Sequence, residues 1–436
     1  MVSRRDWLKL SLAAGAGGLL ACSGKADSSS DGGDAPLDPD HALCTFEVSD
    51  TSAIVSAYAA NTGPAQLVLK TPSGSQRSYG PLEIMEDAGN TGALLIEQLE
   101  PDTLYTYFLS FPAGTVSSTY RFRTAPALDA DKAFSFVISA DIDVSEEFDS
   151  PIFESMASTE AEFFVCLGDW PYADNPPGAE TIEEFRARHK EVRVAEKIQR
   201  VLQRMPVYAI YDDHEMRNNW DAFFREREAT RIQNALTVWD EWFPLRAQGV
   251  NKVRYRSWRW GQHAEFFMLD TRLYRSANDA VDDTTKTMLG ATQKQWLFDG
   301  LRDSTATFKF ILNSVPLDFA IPLAPFPDDY WGAFTTEREE LLAYIRASNV
   351  DGVLWLTADQ HWFAAHHYNA GHKEFQLGPL ARGIPTLHAA APEVVARSAE
   401  YNFGELVIEP GPPTQVIFNC RGATGELIYT ETIAAG

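Results

Sequence analysis

The feature that most constrains this chain is a set of short apolar runs beyond residue 126, together with the polar side chains just downstream of them. The runs are FSFVIS (134–139), FFVCL (163–167), VYAIY (207–211), FFML (266–269), FKFIL (308–312) and VLWLT (353–357). Each has the length and composition of a buried strand. Between them lie segments with helical spacing, one from Ser150 with Pro151 at its first position and others over 181–204, 225–243, 292–303 and 336–347. Thr292 with Gln295, and Thr336 with Glu339, have capping-box spacing. Strands alternating with helices predict a layered α/β core.

Most of these runs lead within a few residues into side chains that can hold a metal. The first leads into Asp141 and Asp143, the second into Asp169 and Tyr172, and the third into Asp212, Asp213 and His214. Asp270 and Arg272 follow the fourth, and Asp359 and His361 follow the last. Ligands of α/β folds gather at the carboxyl ends of strands, so these groups are expected to converge. Clustered carboxylates repel, and burial penalises their charge, so convergence calls for a cation. Carboxylates with an imidazole and a phenol make an oxygen-rich set, suited to iron(III), manganese, calcium or magnesium. Two such ions about 3.5–4 Å apart would clamp a phosphoryl group, which points to phosphoester hydrolysis.

The rest of the chain is read from pattern and composition. Short alternating runs over 41–125 predict a small β-sandwich, in which LEPDTLYTYFLSF and STYRFRTAP look like the end of a fibronectin type III-like domain and the tyrosines near Leu104 are core and corner residues. The β-patterned tail after residue 402 is expected to close a sheet edge. At the N-terminus, residues 1–22 read as a signal: Arg4 and Arg5 form a twin-arginine pattern, and the apolar stretch 10–20 is too short and too rich in Gly and Ala to span a membrane. It ends in Leu19-Leu20-Ala21-Cys22, similar to a lipoprotein box with Cys22 lipidated; the alternative is a plain signal cleaved near Ala21. Export by the twin-arginine route to the periplasm or cell surface is therefore expected. Residues 23–40 are a Ser, Gly, Asp and Pro tether. A net charge of −24 argues against nucleic acid or an anionic membrane as a surface partner and leaves membrane contact to an anchor at Cys22. With Cys22 acylated, Cys44, Cys166 and Cys420 allow at most one disulfide. No feature sets an oligomeric state.

Taken in order, LGDWPY, YDDHEMRNNW, LDTRLYR, MLGATQKQWL and LTADQHW resemble successive motifs of PhoD-type alkaline phosphatases and phosphodiesterases, within the calcineurin-like metallophosphoesterase superfamily. The resemblance covers the region read as a catalytic domain, 126–436, and the segment 41–125 is similar to the N-terminal domain such enzymes carry. It implies a layered metallophosphoesterase core of β-sheets flanked by helices, behind a fibronectin type III-like sandwich. It also implies two or more metal ions, a phosphate ester substrate and in-line attack by metal-bound hydroxide. Asp169 would bind or bridge metals, with Tyr172 as phenolate. Asp213, Asp359 and His361 would be further ligands, although the glycine expected before Asp359 is Ala358. His214 would stand beside the substrate as proton donor or charge stabiliser, supported by Asp212 and Glu215. Arg272 and Asn219 would hold phosphate oxygens or the groups around the ligands.

One departure matters. Where the family places an iron-binding cysteine this chain has ADIDV, so Asp141 takes the cysteine's place and Asp143 that of the superfamily histidine two residues on. An all-oxygen first site favours calcium, manganese or magnesium over iron. It leaves open a preference for diesters, as in a phospholipase D-like enzyme, or a surface protein that has lost turnover. Trp170, Trp220, Trp331 and Trp362 flank the motif loops, as packing or as walls of a substrate cleft.

Overall fold

The N-terminal strands are β1 (His41–Phe46) and β2 (Ser52–Ala59), buried almost throughout, then β3 (Gly63–Lys70), β4 (Gln76–Ile84), β5 (Thr91–Glu97), and β6 (Leu104–Ser110) and β7 (Tyr120–Arg123), which alternate strictly between buried and half-buried residues. The structure is a computed structural model and describes residues 37, 40–144, 149–246, 252–317, 329–368, 371–387 and 391–436. The expected signal, Cys22 and nearly all of the tether lie outside the described residues. Tyr105 and Tyr107 are buried, and the Tyr105 hydroxyl accepts the Glu100 amide at 2.9 Å, an arrangement that pins the chain where it enters β6.

Strands β8 (Phe134–Ser139), β9 (Phe164–Cys166) and β10 (Val207–Ala209) run parallel, with Ser139 level with Cys166 and Cys166 level with Ala209. A second parallel set follows β11 (Arg256–Trp260): β12 (Ala264–Met268), β13 (Phe308–Leu312) and β14 (Val353–Thr357). The chain then forms β15 (Phe363–His367), β16 (Lys373–Gln376) and β17 (Val394–Ser398), and ends in β18 (Asn402–Glu409), β19 (Gln415–Gly422) and β20 (Leu427–Ala434). The sheet orders are β20-β19-β18-β8-β9-β10-β1-β2-β5, β11-β12-β13-β14-β16-β15-β17 and β4-β3-β6-β7. The C-terminal strands thus extend the first sheet beyond β8, while β1 joins it on the other side of β10 through Phe46 opposite Val207. Phe136 of the first sheet meets Phe266 and Phe310 of the second edge to face, with ring centres 5.1 and 5.4 Å apart. The facing sheets therefore share one aromatic core, and the parallel strands of both present their carboxyl ends together.

Helices α1 (Ile152–Ala157), α2 (Ile182–Arg193), α3 (Glu196–Leu202), α4 (Ala222–Arg227), α5 (Ala229–Trp242), α6 (Gly290–Asp303) and α7 (Thr335–Ala347) pack outside these sheets. Two single helices expected from periodicity are each broken once. Ala195 is extended at ψ 131° between α2 and α3, and Glu228 leaves helical geometry at φ −113°, ψ 35° between α4 and α5. The expected capping boxes do not form, because α6 begins at Gly290 and α7 at Thr335, before the threonines could cap. Asp282 caps α7 from outside by accepting the Thr335 amide at 2.9 Å, whereas a true capping box closes α2 through Thr181 and Glu184. Cys44, Cys166 and Cys420 are buried and free. No described helix is long and apolar enough to cross a membrane.

Candidate metal centre

The loops after the parallel strands are shaped by close backbone approach. Gly168 has φ +117°, and a Cβ there would lie 2.6 Å from the Asp212 Cβ, so the loop after β9 can pass the loop after β10 only as glycine. Asp141, Asp169, Asn219, Asp359 and His361 all adopt left-handed φ, between 55° and 77°. Such a conformation costs about 1–2 kcal/mol per residue, and its concentration here marks a site where geometry is held against local preference. Ala358 is not among the positive-φ residues, so the backbone does not require the glycine expected there. The loop 378–383 lies along 140–143: Leu380 donates to the Ala140 carbonyl and Ala381 to that of Asp141, both at 3.0 Å, and Asp143 donates back to the Ala381 carbonyl at 3.0 Å.

These loops bring Asp141, Asp169 and His361 into one group of potential ligands, Asp169, Asp213 and His214 into a second, and Asp212, Asp213 and Asp359 into a third. Within each group the ligand atoms lie within 4.8 Å of one another, and shared residues make the three continuous. Both oxygens of Asp141, together with Asp169 Oδ2, Asp213 Oδ1 and Asp359 Oδ2, are buried without a hydrogen-bond partner. Leaving so many carboxylate oxygens unpaired would cost several kcal/mol, so the donor set fits hard cations that complete it. Burial, followed by the neighbouring carboxylates, pushes Asp141 and Asp359 well above the ordinary carboxylate range. Asp169 is raised in the same way by burial and by Asp213, Glu215 and Asp141, against His214.

The two histidines are prepared differently. His361 Nδ1 donates to the Gly383 carbonyl at 2.8 Å, which turns Nε2 toward the Tyr172 hydroxyl, also at 2.8 Å. Burial, with His214 and Arg382 nearby, pushes His361 down to about 4, so it is the neutral imidazole a metal requires. His214 instead pairs through Nδ1 with Asp174 at 2.8 Å. Burial opposes its charge, but Asp213, Asp169 and Asp174 outweigh burial and raise it to about 10.

Several expected residues stand elsewhere. Asp143 falls outside the ligand groups: its Oδ2 accepts from Asn175 at 3.0 Å and from Arg382. Arg272 is fully buried and held by carboxylates on both sides, Asp212 at 2.6 and 2.8 Å and Asp329 at 2.6 and 2.7 Å, which departs from a phosphate-binding role. Asn219 reaches the cluster through its backbone amide, which donates to Asp213. Asp212 and Glu215 act as supports: Asp212 accepts from Arg272 and Ser314, and Glu215 accepts the amides of Trp170 and Asp212. The four tryptophans are at most 6% exposed, so they pack beneath the loops and do not wall a cleft. Sequence reading missed Asp174, Asp329 and Arg382. Asp174 could have been suspected from its place in the loop that carries Asp169 and Tyr172.

Gly378 supplies a test of this geometry. At φ +102° a Cβ there would fall 2.2 Å from Asp141 Oδ2. Gly378→Ala is expected to displace that carboxylate and to lower metal content and any metal-dependent rate by at least about tenfold. Elemental analysis of the purified variant checks it.

Facing α/β sheets with a carboxylate and histidine cluster at their strand ends define a metallophosphoesterase fold. A structure of PhoD aligns over 91% of this chain and 92% of its own length, with a TM-score of 0.77 and 17% identity. A purple acid phosphatase from yellow lupin (Lupinus luteus) seeds aligns over 92% of this chain and 74% of its own, with a TM-score of 0.64 and 14% identity. The chain belongs to the PhoD-like phosphatase family, whose profile matches residues 146–398. Alkaline phosphatase D of Bacillus subtilis (strain 168) is 27% identical in an alignment 303 residues long that covers 60% of this chain. The chain spans about half the length of that curated relative, 52%.

Proposed function

We propose that the protein is an exported metal-dependent phosphoester hydrolase, anchored through Cys22. The observation that carries this reading is the set of buried, unpartnered carboxylate oxygens on Asp141, Asp169, Asp213 and Asp359, lying beside a histidine oriented by a carboxylate. Asp141, Asp169 and His361, with Tyr172, would hold one ion, and Asp213 and Asp359 a second; Asp169 and Asp213 each sit in two of the ligand groups. Bound metals supply Lewis-acid polarisation of the phosphoryl group and an activated water. The protein's own groups do the rest. Glu215 and Arg272 hold the loops in place, and Asp174 fixes His214 so that its other ring nitrogen can give a proton to the departing alkoxide. The products are phosphate, or a phosphomonoester from a diester, and an alcohol.

Hydrolysis of a chromogenic phosphomonoester and the matching diester, before and after chelation, tests the reading. Chelation is expected to remove nearly all turnover, and calcium, manganese, magnesium or iron to restore it. Turnover indifferent to chelation, or metal-replete protein with no turnover on either substrate, would refute it.

A further inference from the structure

Asp143, Asn175 and Arg382 come from three different loops and close on one another. Arg382 Nη1 donates to Asp143 Oδ2, Arg382 Nη2 donates to Asn175 Oδ1 at 3.2 Å, and Asn175 Nδ2 donates to the same Asp143 oxygen at 3.0 Å. The group abuts the carboxylate cluster. The Arg382 guanidinium carbon stands 4.1 Å from the centre of the Tyr172 ring, whose hydroxyl touches His361, and the next residue, Gly383, holds the other nitrogen of that histidine. Asp143 is buried, whereas the Arg382 side chain is 28% exposed. A guanidinium carries five N–H donors, and these contacts engage one on each terminal nitrogen, so donors remain for a ligand among the described surroundings.

A partly exposed ion pair adds about 0–1 kcal/mol to stability, so stability alone is a weak account of this arrangement. What it does achieve is to fix a rotamer-rich cation over a ring at the edge of the site, with its entropy cost already met before a ligand arrives. Arg272 is committed to Asp212 and Asp329, and His214, paired with Asp174 through Nδ1, keeps its other ring nitrogen for the leaving group. In a chain of net charge −24, a phosphate approaching this centre needs a cation besides the metals.

Resting on the phosphoesterase reading above, we propose that Asp143, Asn175 and Arg382 form a phosphate clamp, in which Arg382 binds non-bridging oxygens of the substrate and favours dianionic monoesters over monoanionic diesters. The preference follows from charge: at one distance and in one medium, a cation attracts a dianion twice as strongly as a monoanion. The planar fork adds directional hydrogen bonds to phosphoryl oxygens. Asp143 and Asn175 act as positioning residues.

The test uses the metal-loaded full chain. Calorimetric titration with inorganic phosphate should show affinity weakened about 10- to 100-fold in Arg382→Gln, the loss expected for a hydrogen bond between charged groups, with metal content unchanged. The monoester-to-diester ratio of kcat/KM should fall severalfold in the same variant. Arg382→Lys should recover part of both, since it keeps the charge and loses the fork. Asp143→Asn should raise KM for the monoester more than it lowers kcat. Wild-type phosphate affinity in metal-replete Arg382→Gln would overturn the clamp, and an equal loss on monoester and diester would overturn the selectivity. Absence of turnover in the wild type would instead refute the phosphoesterase reading, and the calorimetric comparison would still decide the clamp.

Discussion

Asp169→Asn is expected to lower hydrolysis on the order of a thousandfold or more, and at the same time to raise the melting temperature of the metal-free protein. The two effects have one cause. Asp169 belongs to two of the ligand groups; its Oδ1 accepts the His214 amide at 3.3 Å, while its Oδ2 is buried and unpartnered. Asparagine keeps the shape but removes a charged ligand, so the metal-loaded state loses a bond that the chemistry depends on, and about 4 kcal/mol of barrier is a thousandfold in rate. Without metal, the same substitution relieves repulsion from Asp213, Glu215 and Asp141.

The pH dependence of the metal-free protein has a definite sign. The carboxyls of Asp141, Asp169 and Asp359 are raised by burial first and by neighbouring charge second, so the folded state holds their protons more tightly than the unfolded state does. Their contribution to stability is full below the unfolded value of about 4 and is lost as pH rises through the raised folded values. Metal-free wild type should therefore melt lower at pH 8 than at pH 5, and Asp169→Asn should show a shallower fall. Metal loading should abolish the trend, because the cation replaces the protons. Thermal melts across this range, with and without chelator, read the effect. Wild-type turnover and metal content in Asp169→Asn would remove it from the centre.

Much of this site was legible because its signal is local. A buried strand followed at once by a carboxylate can be read from a few residues, and the parallel register of β8, β9 and β10 brings Asp141, Asp169 and Asp213 to one edge. The pattern failed where a local rule met a long-range contact. Asp143 follows Asp141 by two, a spacing that in an extended chain puts both on one side. Asp141 is instead left-handed at φ 63°, and Asp143 meets Arg382 from 239 residues away. No periodicity announces such a partner. Similarly, helical spacing over 181–204 and 225–243 does give helix, but Ala195 and Glu228 leave helical geometry and divide the helical run in each region in two.

Arg272 shows the same limit with the largest expected effect on the fold. Its position after a strand, in DTRLYR, suits a phosphate ligand, and its true partner Asp329 lies 57 residues on, just beyond a stretch without a clear pattern. In the structure it makes two forked pairs, to Asp212 and Asp329, and stands 3.8 Å from Asp213 and 3.9 Å from Asp359. Asp212, Asp213 and Asp329 are buried, and the Asp359 side chain is 9% exposed. Burial opposes the guanidinium charge, but Asp212, Asp329 and Asp213 outweigh it and hold the side chain firmly protonated. Arg272→Met would leave those carboxylates buried without their cation, and breaking a buried pair from one side costs about 3–5 kcal/mol. A large drop in urea midpoint is expected, with Arg272→Lys recovering only part, because an ammonium cannot make two forked pairs at once. Phosphate affinity per folded, metal-loaded molecule should change far less than in Arg382→Gln. A variant at 272 that kept wild-type stability yet lost phosphate affinity would return this arginine to the substrate and take the role away from Arg382.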